Sequence, residues 1–239
     1  SGSHTLTASR SITATSEIIG QGGVGSFTQS GGIHNVTGTL SLGTGLNGNG
    51  TFNMQGGLLQ AGTIDAVNAG IATFNFTGGT LAVGTFIGNL VNGGGILAPG
   101  ASPGTTVVQG DYSQGATGAL SVELGGTGAG LFDVLQVTGT ATLGGELDVT
   151  FWNGFSAAAG DSFDIMSATN LTGSFDTFNL AALGAGLVWD VDYLYDQDVA
   201  GTDYLRLSVQ AVPEPEAYAM MLAGLGLVGW AAGRRKKVH

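Results

Sequence analysis

Three stretches of the first hundred residues superimpose without gaps: GSFTQSGGIHNVTGTLSL from Gly25, GTFNMQGGLLQAGTI from Gly50 and ATFNFTGGTLAVGTF from Ala72. The superposition puts Phe27, Phe52 and Phe74 at one position and the pairs Gly31-Gly32, Gly56-Gly57 and Gly78-Gly79 at another. Phenylalanine returns after 25 and then 22 residues. At that period each unit is one supersecondary element that shelters its apolar face only against its neighbours. Within a unit the apolar positions alternate: Phe74 and Phe76 against Asn75 and Thr77, Leu81 and Val83 against Thr80 and Ala82. Period two means strand with one face inward. A strand of four or five residues buries too little alone, but coils stacked at the ~4.8 Å strand spacing put Phe on Phe and aliphatic on aliphatic. Paired glycines suit the corners, where positive φ and close backbone approach are needed. The expected fold is therefore all-β, a parallel β-helix (solenoid) with Phe27, Phe52 and Phe74 as a core ladder. The opening SGSHTLTAS echoes SGGIHNVTG from Ser30, as expected if residue 1 lies inside a coil that begins further upstream.

Residues 1–104 form the Gly-rich repeat unit, which ends in LAPGASPG. Beyond it the alternation strengthens and its outward positions become charged: Leu120, Val122 and Leu124 around Glu123, Leu147, Val149 and Phe151 around Asp148, Leu205, Leu207 and Val209 around Arg206. These are strands with one wet face. Residues 105–211 are expected to continue the β-helix and close it with a β-rich cap, since an open solenoid end exposes strand edges that recruit other chains. LAPGASPGT, GDYSQGATGALSVELGG and FDVLQVTGTATLGGELDV resemble autotransporter-type β-helix passengers and their β-strand repeats. No translocator barrel accompanies them in this sequence.

Residues 212–239 differ from everything before them. Val212, Pro213, Glu214 and Pro215 precede an uncharged segment, 217–233, that is followed by Arg234, Arg235, Lys236 and Lys237. As a helix the segment would measure roughly 25 Å, near the lower limit for crossing a bilayer. The basic cluster marks the side retained in the cytoplasm and puts the body outside it. Pro213 and Pro215 remove backbone donors, so the run from Val212 to Glu216 is expected to stay extended and open to an enzyme's groove. The order of these parts resembles the PEP-CTERM sorting signal. That resemblance implies an exported protein of a Gram-negative bacterium, anchored transiently in the inner membrane by its C-terminal hydrophobic helix. It also implies recognition of Val212–Pro215 by an exosortase-like membrane enzyme and final residence in the cell envelope, at the surface or in extracellular matrix. Extracellular polysaccharide is a further expected partner.

Composition narrows the function. Acidic residues outnumber basic ones 17 to 6, and residues 105–212 hold thirteen acidic residues against Arg206 alone. A product this acidic does not suit nucleic acid. With no Cys and only His4, His34 and His239, nucleophile and base candidates are few. The expectation is a non-catalytic structural or surface protein with no cofactor. Two alternatives stay open. One is an adhesin that stacks glycan on Trp189, Tyr193, Tyr195 or Tyr204, although these aromatics are read first as cover for the cap's small core. The other is a β-helix polysaccharide lyase or hydrolase using carboxylates such as Asp133, Glu146 and Asp148. Asp190, Asp192, Asp196 and Asp198 crowd one region and are weak candidates for calcium, but alternating outward Asp on a solvated hairpin explains them equally well.

Overall fold

A computed structural model describes residues 1–100, 102–196 and 201–212, together with Leu225 and Leu227. The backbone is wound into coils whose strands join one 17-stranded sheet. The first coil consists of β1 (Gly2–Leu6), β2 (Ser11–Ala14) and β3 (Glu17–Ile19). Each of β4 (Val24–Leu42), β5 (Asn49–Asp65) and β6 (Ile71–Ile87) makes a whole coil. In the next coils the same three runs are separate: β7 (Leu90–Asn92), β8 (Ile96–Leu97) and β9 (Thr105–Gln109), then β10 (Tyr112–Gln114), β11 (Ala119–Leu124) and β12 (Val134–Leu143). The chain closes with β13 (Glu146–Phe151), β14 (Ser162–Gly173), β15 (Thr177–Leu180), β16 (Leu187–Leu194) and β17 (Asp203–Ala211).

Every pairing from β1 to β15 is parallel, so each inward position meets its counterpart on the next coil. In the first run His4 stands over Phe27, Phe27 over Phe52 and Phe52 over Phe74. Their ring centroids lie 5.2, 5.1 and 5.5 Å apart, close to the rung spacing. The second run stacks Leu59, Leu81, Leu97, Leu120 and Leu147, all fully buried. The third stacks Leu40, Ile64, Phe86, Val108 and Val137. Three inward columns thus make one continuous core.

Apart from local register shifts beside Ser30 and Gln55 at the first corner, the gapless superposition fails lastingly at one place. Val36 pairs with Ala61, but Thr39 pairs with Thr63 and Leu40 with Ile64, so β4 carries one extra residue at its second corner. Without that irregularity every later side chain of β4 would change faces; the bulge keeps Leu40 inward over Ile64.

The corners explain the glycines. Gly32, Gly57 and Gly79 hold φ of +73°, +80° and +81°, and a Cβ on Gly57 would lie 2.4 Å from the carbonyl oxygen of Gly32. A side-chain amide fills the inside of this corner in several coils. Asn92, fully buried, donates to the carbonyls of Gly95 and Ala119 at 2.9 and 3.2 Å. It accepts from the amides of Gly94 and Gly95 at 3.2 and 2.8 Å. Gln114 donates to the carbonyls of Gly118, Gly144 and Glu146 and accepts from the Tyr112 hydroxyl at 2.7 Å. Such side chains satisfy backbone groups that the ladder cannot reach at a turn.

The parallel winding ends with β14 and β15, which pair with β12 and β13. On the far side of β14, β17 pairs antiparallel, and β16 pairs antiparallel with β17. Reversed strands cannot template a further parallel coil, which is one way to manage an edge.

Candidate functional site

Each residue singled out by the sequence has a definite place. Phe27 and Phe52 are 4% and 0% exposed, while Phe74 is only partly buried at the point where the ladder passes from whole-coil strands to shorter ones. His34 is fully buried between Phe27 and Phe52, with ring centroids 4.9 and 5.9 Å away. Its Nε2 lies 2.7 Å from Glu17 Oε2. The register sets Glu17 directly over Leu40 in an inward column, a placement that no period in the sequence marks.

Trp189 belongs to the cap's own core. Its Nε1 donates to the Ala181 carbonyl at 2.8 Å, and its ring packs 6.2 and 6.3 Å from Phe151 and Phe163. The Tyr193 hydroxyl accepts from the Phe175 amide at 3.2 Å, whereas Tyr195 is 51% exposed. Trp189 is thus partly buried and packed against the cap's core.

The aspartates of the last hairpin spread out. Asp192 faces Arg206 across the β16–β17 ladder, and Arg206 makes a forked pair with Asp164 at 2.6 and 2.8 Å. That hydrogen-bonded carboxylate pushes the Arg206 pKa further up. Asp190 is opposite Ser208, and Asp196 lies just beyond β16 with φ +51°. Asp203, 4% exposed, accepts from the amides of Leu171 and Asp196 at 2.7 and 2.9 Å. Among the described residues no three His, Asp or Glu side chains converge on one point; Asp198 lies outside them.

Of the three carboxylates considered for glycoside chemistry, Glu146 and Asp148 sit on one face of β13, where Asp148 accepts from Asn179 Nδ2 at 2.9 Å. Asp133 is elsewhere. Only 2% exposed, it accepts from the amides of Gly104 and Glu123 at 2.6 and 2.9 Å. Burial pushes its pKa up to about 6, against the pull of those two donors. The nearby Glu123 raises it further, and its own Oε2 is buried with no hydrogen-bond partner. This acid pair joins positions ten residues apart through a loop that returns Phe132 to Leu124. The alternation around Glu123 marked it as outward, but nothing in the sequence tied it to Asp133.

The sorting motif begins where the body ends. Val212 donates its amide to the Gly186 carbonyl at 2.8 Å, the last backbone bond of the cap. Pro213, Glu214, Pro215, the segment 217–233 and the cluster Arg234, Arg235, Lys236 and Lys237 lie outside the described residues.

No curated protein matches the chain. Residues 211–236 match the PEP-CTERM protein-sorting motif. The chain therefore joins a β-solenoid body to a PEP-CTERM sorting signal, the mark of an exported protein processed by an exosortase-like membrane enzyme.

Proposed function

We propose that the protein is a non-catalytic structural element of the surface or extracellular matrix of a Gram-negative bacterium. In this reading its tail holds it in the inner membrane until an exosortase-like enzyme acts at Val212–Pro215. The solenoid is then the delivered product. The observation that carries the reading is the junction between its two parts: the core columns and cap close by Ala211, and the sorting motif starts at residue 211. Removal of the tail leaves every strand in place. The mechanism is mechanical, since stacked strands stiffen one another and the acidic exterior keeps the rod hydrated.

Mass spectrometry of the C-terminus, on protein recovered from the native cells and from a strain lacking the processing enzyme, tests the delivery step. The expected result is a terminus near Val212–Pro215 in the parent strain and an intact end in the mutant. Mature extracellular protein that keeps Arg234–Lys237 would overturn it. Release of reducing ends or unsaturated sugars from a polysaccharide panel would overturn the non-catalytic part.

A further inference from the structure

Neither the core nor the sorting motif accounts for the surface from which the tail departs. Residues 125–131 and 152–160 form the corner between the second and third runs in successive coils, and 181–189 lead into β16. Trp152 donates its amide to the Leu124 carbonyl at 2.8 Å, and Gly125 donates to the Leu131 carbonyl at 2.8 Å. The Trp152 ring therefore lies against the neighbouring loop, where a Cβ on Gly125 would come within 3.3 Å of its Cδ1. Around the end of β17, Gly160 donates to the Val209 carbonyl on one side and Gly186 accepts from Val212 on the other, both at 2.8 Å. The three segments hold no charged side chain, although residues 105–212 contain thirteen acidic ones. Leu131, Trp152, Val188 and Val212 are 51%, 42%, 45% and 46% exposed on this surface.

We propose that this surface rests on the lipid headgroups of the bilayer while the tail holds the protein there. The inference builds on the reading that the apolar segment anchors the chain, and adds which face of the body meets the membrane. Residues 213–216 alone separate Val212 from that segment. Extended, they reach at most about 14 Å, so the bilayer lies close to Val212 and the body cannot stand off from it. The side turned toward lipid is then the side around Val212, where the charge-free loops project. An amphipathic Trp beside exposed aliphatic groups suits headgroup depth, while carboxylates there would lose hydration. Asp161, which accepts the Ala158 amide at 2.8 Å, and Asp190, opposite Ser208, border the surface, and Glu214 and Glu216 lie in the connecting stretch. These four carboxylates would be repelled by an anionic leaflet, so the fitting surface is a zwitterionic one. The short connection sets a distance to lipid and to nothing else, which favours the bilayer over a protein as the occupant.

The chain has no Cys, so Thr127→Cys, Ser156→Cys and Asn170→Cys each place one fluorophore on the full chain. The first two lie on the proposed surface; Asn170 is exposed on the first run, away from that corner. Each variant is reconstituted into phosphatidylcholine–phosphatidylethanolamine vesicles, recovered by flotation, and compared with and without a quencher on the lipid headgroups. Fluorescence at 127 and 156 is expected to fall by about half or more, as for groups seated within roughly 10 Å of the headgroup boundary, and to stay unchanged at 170. Trp152→Glu with Leu131→Glu should abolish the quenching at 156 while flotation and the urea midpoint stay the same. Ala185→Cys replaces a corner variant that does not fold. Failure to float overturns the anchoring reading and the contact with it. Flotation with 127 and 156 unquenched, with all three sites quenched alike, or with quenching that survives both glutamates overturns the contact alone. Shielding of 127 and 156 from aqueous iodide without lipid quenching assigns the surface to a second copy and overturns it too.

Discussion

Phe52→Ala should divide the solenoid's stability in two. Phe52 is fully buried, with Phe27 at 5.1 Å on one side and Phe74 at 5.5 Å on the other. Truncating a buried Phe to Ala costs about 3–5 kcal/mol, including aromatic pair terms of roughly 0.5–1.5 kcal/mol each. Both interfaces of β5 are weakened, because both stacked neighbours lose their partner. In a solenoid, stability is approximately a sum of coil and nearest-neighbour terms, so the loss should not spread evenly. Coils β1–β4 depend on β5 for attachment to the rest, whereas β10–β14 and the β16–β17 hairpin have their own core and cap. Native-state amide hydrogen exchange is the assay. Protection in β4 and β5 should fall by about two to three and a half powers of ten, at 1.4 kcal/mol per tenfold, while β11–β14 keep theirs. Phe74→Ala should cost roughly half as much in β5, since Phe74 is only partly buried. An even loss of protection from β1 to β17, or a Phe52→Ala cost below about 1 kcal/mol, would refute the reasoning.

Three other outcomes follow from single sites. Asn92→Leu preserves volume but strips four hydrogen bonds from a buried corner; urea unfolding should show a loss of about 3 kcal/mol or more from stranded backbone groups. Asp133 binds its proton more tightly folded than unfolded, with a pKa near 6 instead of 3.8. It should therefore add stability as pH falls from about 7 to 4, up to about 3 kcal/mol. Asp133→Asn should remove that component, and identical pH slopes of the urea midpoint in parent and variant would contradict it. Native trypsin should cut after Arg10, exposed between β1 and β2, and spare Arg206, which lies in β17 between β14 and β16 and is clamped by Asp164. A native digest read by mass spectrometry decides it.

The repeat was legible because two periods coincide in it. Alternation tells which side chains point inward, and the recurrence of Phe and of Gly pairs tells which of them meet; together they specify a column without any knowledge of loops. That is why Phe27, Phe52 and Phe74 could be aligned by inspection. The extra residue after Val36 was hidden, because a bulge leaves no composition signal and shows only when Leu40 must choose a face. The link from Glu123 to Asp133 was hidden for the same reason, because a returning loop places the two side by side. Short irregular segments carry no period from which such partners could be read.

The last residues of the body also constrain how the sorting signal can be used. The ladder must stop after Val212, because Pro213 has no N–H to give. Val212 in turn is held by Gly186, and β17 is covered on both edges by β14 and β16. Four residues, 213–216, separate this closed cap from the apolar segment that starts at Ala217. Fully extended, they reach at most about 14 Å. An enzyme working at the membrane on Pro213–Pro215 thus meets a folded cap at close range, with little free chain to draw into its groove. Because β17 ends at Ala211 and the described residues that pair around it end at Val212, cutting after Val212 would disturb neither a core column nor a cap strand among the described residues, and the cleaved body is expected to keep the stability of the full chain.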